Sequence, residues 1–452
     1  MEQLSLKEIA AALGADCPAD AVVDGICIDT REVRKGSLFT AIKGERFDGH
    51  DFIPKAFELG AAAVIASRPV PGMRGPVLLV EDTRKAFLDL SGWYRRRFGV
   101  KVAAVTGSVG KTSTKEMIDA VLSSRFKTLK TEGNLNNEIG LPKTLFRLDR
   151  SYQAAVIEMG MSGFGEISRL SRAAQGDLGV ITNIGVSHIE KLGSRENILK
   201  AKLEILDGLK ESAPLIVNAD DDLLQGLALD GRRIVRYGIS SAEAEPRAVK
   251  IRTEKLETVF EICYRGEEYP ARIPVLGNHH VLNALAAFAA GIELGMSPEE
   301  VTEALPGYQP SGMRQKTVDF HGIIVVEDCY NASPDSMKAS LSVLSMLGNG
   351  GKRVAVLGDM LELGDYSEEA HRQVGRMAAE NRLDAVACLG EASAFTAQEA
   401  LRNGVPCVRC FERKEDAAGW LKRSLLPGDA VLFKASRGMK FEEIISAFYG
   451  EE

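Results

Sequence analysis

Thr106-Gly107-Ser108-Val109-Gly110-Lys111-Thr112-Ser113 sets two glycines, a lysine and several hydroxyls directly after the β-branched run Val102–Val105. Such a stretch can cradle phosphate. Gly107 and Gly110 let backbone N–H groups turn inward around an anion, and a helix continuing through Thr114 to Leu122 would aim its positive end at it. Lys111 would reach the outer phosphates, and the Thr112 hydroxyl would hold Mg²⁺. Val105 stands where the first glycine of G-x-x-x-x-G-K-[ST] belongs. On this string alone, an ordinary strand-to-helix turn is therefore the competing reading.

Four further groups have chemistry to offer. Glu158 closes the apolar run Ala154–Ile157, and a carboxylate at that strand end can coordinate nucleotide-bound Mg²⁺. His188, in Asn183-Ile184-Gly185-Val186-Ser187-His188, is either a solvated loop residue or a metal-ligating imidazole. Asn134, Asn136 and Asn137 crowd one loop, where they make turns or contact a polar substrate. Lys202 reads as a helix-surface lysine. Asp29-Thr30-Arg31 follows the strand-like Val22–Ile28, so Arg31 meets either a phosphate or a surface partner. His50 is a turn residue or a ligand contact. Cys407 and Cys410 have C-x-x-C spacing without a second pair, which a short strand and its turn explain.

The elements that must position these groups alternate along the chain. Strands over Val102–Val105, Thr128–Lys130, Ala154–Glu158, Leu178–Thr182 and Leu215–Val217 alternate with helices to Leu122 and over Glu138–Leu148, Glu166–Ala174 and Arg195–Leu206. This predicts a doubly wound parallel sheet whose ligands gather at the strand carboxyl ends. Antiparallel strands between Ile251 and Ile273 and a helix over His280–Leu294 follow. The pattern divides an α/β chain into three domains: a small α/β domain over residues 1–98, a central phosphate-loop domain over 99–308, and a Rossmann-like α/β domain over 309–452. In the last, strands are expected at Ile323–Glu327, Val354–Leu357, Ala385–Leu389, Val405–Val408 and Ala430–Phe433.

Composition narrows the partners. The 452 residues carry 45% hydrophobic and 26% charged side chains and a net charge of -7, as ordinary globular proteins do, with no basic surface calling for nucleic acid. No stretch approaches a membrane span, and the start lacks a basic region followed by an apolar one, so a cytoplasmic protein is expected. The seven cysteines are scattered and odd in number, which fits reduced thiols.

Taken in order, the phosphate loop, Gly133-Asn134-Leu135-Asn136-Asn137, Glu158-Met159-Gly160, the segment ending in His188, and Ala201-Lys202 resemble the Mur ligases, ATP-dependent amide-forming enzymes of peptidoglycan precursor synthesis. Asp29-Thr30-Arg31, Asp48-Gly49-His50-Asp51-Phe52, Tyr330-Asn331-Ala332-Ser333-Pro334 and Leu357–Gly364 are most like the member that takes UDP-N-acetylmuramoyl-tripeptide and D-alanyl-D-alanine. The resemblance implies that Gly107, Ser108, Val109, Gly110, Lys111, Thr112 and Ser113 bind ATP phosphates. It implies that Asn283 meets adenine and that Arg314, Asp328 and Asn331 close over ribose and phosphate. Two Mg²⁺ ions are implied, one on Thr112 and Glu158, another on His188 and on Lys202 modified by CO₂ to a carbamate. Lys111, Glu158, His188 and Lys202 would carry catalysis, and Thr30, Arg31, Asn134, Asn136 and Asn137 would bind substrate. The family pattern usually has Asn where this chain has His280. A monomer is expected. Rival readings are a family member adding a single amino acid to the peptide or glutamates to folate, and a nucleotide-binding module without ligation. The first shares the ATP machinery, although no Asp-Asn-Pro-Arg string of the diamino-acid-adding member is present; the second leaves Glu158, His188 and Lys202 unexplained as a set.

Overall fold

The structure, a computed structural model, describes residues 1–71, 74–348 and 350–450. Its central sheet is six-stranded and wholly parallel, in the order Ile234–Tyr237, Leu215–Asn218, Leu178–Ile181, Lys101–Thr106, Ala154–Glu158, Thr128–Lys130. Lys101–Thr106 is buried on both faces because its residues alternate between two cores: Val102 and Ala104 belong to one, Ala103 and Val105 to the other. Strands later in sequence flank it on both sides, so the chain reverses its winding at this strand. The crevice that opens at such a reversal is where α/β sheets bind ligands.

The remaining elements build outward from that sheet. A four-stranded parallel sheet of Gly25–Cys27, Ser37–Thr40, Ala63–Ala66 and Val77–Leu79 precedes it. The Thr83–Arg95 helix ties the two together, with Phe87, Leu90 and Tyr94 in the same core as Leu141, Leu145 and Leu170. Gly92 on this helix lies 3.0 Å, measured from where a Cβ would stand, from Ala173 Cα, so a side chain would push the helices apart. An antiparallel sheet of Arg247–Glu254, Glu257–Tyr264 and Glu267–Ile273 packs Phe260, Ile262 and Ile273 on the second core. The last sheet runs Lys316–Phe320, Ile323–Glu327, Ala430–Lys434, Arg353–Gly358, Ala385–Leu389, Cys407–Phe411, and only its first pair is antiparallel.

Several element limits differ from the sequence expectation. The helix after the phosphate loop begins at Lys111, not Thr114, because Gly110 takes φ +82 and turns the chain directly into it. The expected Glu138–Leu148 helix shrinks to Gly140–Leu145, where Asn137 Oδ1 accepts from the N–H groups of Ile139 and Gly140. The expected Val405–Val408 strand lies two residues later, at Cys407–Phe411. On a strand, Cys407 and Cys410 point to opposite faces, so C-x-x-C spacing brings no sulfur pair together here.

Candidate active site

The phosphate loop is held open by side chains from neighbouring strands. Ser108 and Val109 give their N–H groups to Asn183 Oδ1 at 3.2 and 2.9 Å, and Thr182 Oγ1 donates to Val109 O at 2.6 Å. Gly107, at φ +151, leaves no room for a Cβ beside Thr182. The helix from Lys111 has no side-chain cap, so its first N–H groups and its positive end remain available to an anion. Lys111 folds back over the loop, donating to Gly107 O at 2.9 Å and Ser108 O at 3.1 Å. Burial lowers its pKa, Glu158 opposes that shift, and Arg314 adds to it.

Glu158 lies beside Val105 on the adjacent strand and is 1% exposed. Oε1 accepts from Asn136 Nδ2 at 2.8 Å, while Oε2 is buried with no partner, as is Ser108 Oγ. A buried carboxylate oxygen without a donor is costly unless something cationic meets it, and carboxylate and hydroxyl oxygens are the donors Mg²⁺ takes. Among the described residues no three His, Cys, Asp or Glu side chains gather to hold a metal by themselves. A hard cation here would thus need further oxygens, from a ligand or water, to complete its shell.

Lys202 is only 2% exposed, and nothing among the described residues accepts a hydrogen bond from its ammonium. Burial, and then the charge of Lys111, hold its pKa well below the ordinary lysine value. His188, at φ +64, sits within reach of both lysines; burial and Lys111 lower its pKa. Its Nδ1 lies 3.3 Å from Glu362 Oε2, which comes from the last unit. Gly364, two residues on, packs against the Glu190 side chain at 3.1 Å from its would-be Cβ.

The other candidates divide. Arg314 stacks over Tyr330 at 3.6 Å and contributes to the field at Lys111. Asn283 Oδ1 accepts from Thr114 Oγ1 at 3.0 Å and lies near Gly110, so this amide already serves the loop. Asp328 Oδ2 accepts from Lys434 Nζ at 2.6 Å and from Ser340 Oγ at 2.5 Å. Asn331 is exposed, its Oδ1 accepting from the next N–H. Of the loop amides, Asn136 orients Glu158, Asn137 caps a helix, and Asn134 is exposed. Thr30 and Arg31 stand apart from these groups, in a short turn after the Gly25–Cys27 strand, where exposed Arg31 pairs with Asp29 at 2.5 Å and holds that carboxyl down to about 2. Neighbouring Glu32 meets Lys143 at 3.0 Å, which sets this turn beside the Gly140–Leu145 helix. His50 is buried, its Nδ1 2.6 Å from Asp48 Oδ1 and its Nε2 accepting from Ser67 N at 3.0 Å. It borders a cavity of about 600 Å³ lined also by Lys43, Arg68 and Arg84.

Sequence reasoning from the residues missed three partners: Thr182 and Asn183, which shape the loop, and Gln315, discussed below. The first two follow the Leu178–Ile181 strand, and adjacency of that strand to Lys101–Thr106 was the only available signal.

Comparison with known proteins gives the family and the fold. Residues 22–88 match the family model described as Mur ligase family, catalytic domain; residues 105–291 match the Mur ligase middle domain, and 313–437 the Mur ligase glutamate ligase domain. A Bacillus subtilis protein named UDP-N-acetylmuramoyl-tripeptide--D-alanyl-D-alanine ligase is 44% identical over 94% of this chain and 93% of its own. A crystal structure of MurF from Acinetobacter baumannii superposes with a TM-score of 0.92 at 31% identity, covering 100% of both chains. The Thermotoga maritima MurF ligase in complex with ADP gives 0.87 at 30% identity, covering 95% of this chain and 98% of that one. With three Mur ligase models matched in order along residues 22–437 and a relative 44% identical over nearly the whole length, the chain belongs to the Mur ligase family.

Proposed function

We infer that this chain joins D-alanyl-D-alanine to UDP-N-acetylmuramoyl-tripeptide at the expense of ATP, giving the UDP-linked pentapeptide. The observation that carries the reading is the pairing of an uncapped phosphate loop with Glu158, whose free oxygen faces the same crevice as two cations, Lys111 and Lys202. A nucleotide-binding module has no use for that set.

The chemistry follows from charge. A carboxylate is a poor acylating agent, so the tripeptide's terminal carboxylate attacks the γ-phosphate of ATP, forming an acyl phosphate and releasing ADP. Two anions must meet in that step. Lys111, the loop N–H groups and the helix end provide fixed positive charge where it is needed. Mg²⁺, held by Thr112 and Glu158 with a second ion on His188 and a carbamate of Lys202, would screen the phosphoryl oxygens. The depressed pKa of Lys202 favours the neutral amine, whose nitrogen attacks CO₂ and loses a proton, and carbamylation turns a repelling cation into an anionic oxygen donor. The dipeptide's free amine then adds to the acyl carbon, and the tetrahedral intermediate collapses to amide and phosphate.

In this reading residues 1–98 hold the UDP end, with Thr30 and Arg31 among the contacts. Residues 99–308 hold ATP, with Asn134, Asn136 and Asn137 toward the peptide. Residues 309–452 bring the dipeptide, with Arg314, Asp328 and Asn331 toward the nucleotide and Asn283 near its base. We take the protein to act as a monomer, and the need for ATP fits the cytoplasm. No helix among the described residues is long and apolar enough to cross a membrane. The test is phosphate release from ATP with UDP-muramoyl-tripeptide, with and without D-alanyl-D-alanine, and the mass of the product. Dipeptide-dependent release with a pentapeptide product is expected; ligation of a single amino acid instead would overturn the substrate, and no amide with any acceptor would overturn ligation.

A further inference from the structure

Gln315 stands at the last step of the crossing from the central unit into the third, immediately before the Lys316–Phe320 strand. It takes φ +52 without being a glycine and is 8% exposed, a conformation that persists only where surroundings enforce it. Its amide joins two imidazoles to a hydroxyl. Oε1 lies 2.9 Å from His279 Nε2 and 2.8 Å from His280 Nε2, and Nε2 donates to Ser340 Oγ at 3.4 Å. An oxygen with two lone pairs accepts from both rings only if each carries its proton on Nε2. His280 Nδ1 is then a buried acceptor with no donor. The rings lie 4.3 Å apart, and burial keeps both neutral.

Hydrogen bonds carry the cluster into the third unit, and a shared helix carries it toward the loop. Ser340 donates to Asp328 Oδ2, which Lys434 also meets, and Ser340, Asp328 and Lys434 are all buried. On the other side, the helix Asn278–Glu293 that carries the histidines also carries Asn283, one turn on, whose oxygen is fixed by Thr114 beside Gly110. Gln315 is thus tied to the strand ends of the third unit by hydrogen bonds, and to the phosphate loop through one turn of the Asn278–Glu293 helix and Asn283.

Resting on the ligase reading above, we propose that Gln315 is a positioning residue that seats the third unit, with Arg314 and Asp328, against the phosphate loop, so that water is excluded while the acyl phosphate exists. The amide is needed as acceptor and donor at once. If the seat loosens, water adds to the acyl carbon in place of the amine, the acyl–oxygen bond to phosphate breaks, and carboxylate and phosphate are released without amide.

The test compares phosphate with amide product in the full chain. Gln315→Met keeps the length and loses every bond; Gln315→Glu keeps the acceptor and sets a second carboxylate near Asp328. Wild-type enzyme is expected to release phosphate and amide in equal amounts. Both variants are expected to release at least about twofold more phosphate than amide, with the KM for ATP changed less than about threefold. A lowered melting temperature with phosphate and amide still in balance would show a merely structural role and overturn the proposal. Should the Met variant fail to fold, the Glu variant, of the same shape, decides. A wild-type chain that makes no amide overturns the ligase reading instead, before Gln315 is tested.

Discussion

Gly107→Ala is the sharpest perturbation of the phosphate loop, because its cost comes from two atoms that can be altered independently. A Cβ at Gly107 would overlap Thr182 Oγ1 outright and stand 3.0 Å from Thr182 Cβ and 3.1 Å from Thr182 N, at a φ of +151. The loop or the strand end must then yield by about 1 Å, and a misplacement of that size near reacting groups costs about 10²-fold in rate. Thr182→Ala alone removes the hydroxyl that donates to Val109 O, a loss of about 1 kcal/mol. In the double variant the worst overlap is gone and only the two 3.0–3.1 Å approaches remain, so activity is expected to rise above that of Gly107→Ala, against simple additivity. The assay is dipeptide-dependent ADP formation, with the KM for ATP followed separately. Gly107→Ala within about twofold of wild type, or a double variant worse than either single one, would refute the steric account of the loop.

Lys202→Ala should lose activity by about 10²-fold or more without lowering the melting temperature, since it removes a desolvated cation that the charge of Lys111 also opposes, and high bicarbonate should not restore it; an active variant would sink the carbamate proposal. Glu158→Gln keeps the oxygen that Asn136 meets and removes the charge of the free one, so kcat should fall by about 10²-fold while stability holds or rises. An unchanged Mg²⁺ dependence in that variant would remove Glu158 from the metal site. His188, His279 and His280 are all held below the ordinary histidine pKa by burial. Below about pH 6.5 the unfolded chain takes up protons that the folded chain refuses, so stability should rise with pH through that window and be lost as pH falls. His280→Asn should flatten the dependence of melting temperature on pH, and an unaltered slope would contradict the buried neutral pair.

What was legible in the sequence was whatever repeats locally. The loop and Glu158 announce themselves because a β-branched run, a glycine turn and a strand-end carboxylate are each contained within a few residues. Ile234–Tyr237 and Lys316–Phe320 escape notice because they are edge strands with one half-exposed face, so neither shows an unbroken apolar run. Lys202 carries no mark of burial either: Lys200-Ala201-Lys202 reads as a solvated helix face, and only the tertiary packing buries the side chain. The site role expected for it came from the family resemblance alone. The Gln315 cluster is equally silent, since its histidines lie 36 and 35 residues away and no spacing rule joins them.

The charges of the crevice explain why these illegible groups matter most. Burial depresses the pKa of both Lys111 and Lys202, and the charge of Arg314 adds to the first shift and that of Lys111 to the second. Against them stand Glu158, already sharing one oxygen with Asn136, and the largely exposed Glu362. Such a site is poorly balanced alone and well balanced around a polyphosphate, because buried cations that repel one another gain most from a single ligand that meets them together. Converting Lys202 from cation to carbamate reverses the sign of one wall of the crevice. It would thereby separate a wall that attracts phosphate, at Lys111, from one proposed to attract metal, at His188. An attacking carboxylate and the γ-phosphate could then share the crevice with cations between them, so on the ligase reading the buried lysine, more than the phosphate loop, is the residue whose substitution separates ligation from nucleotide binding.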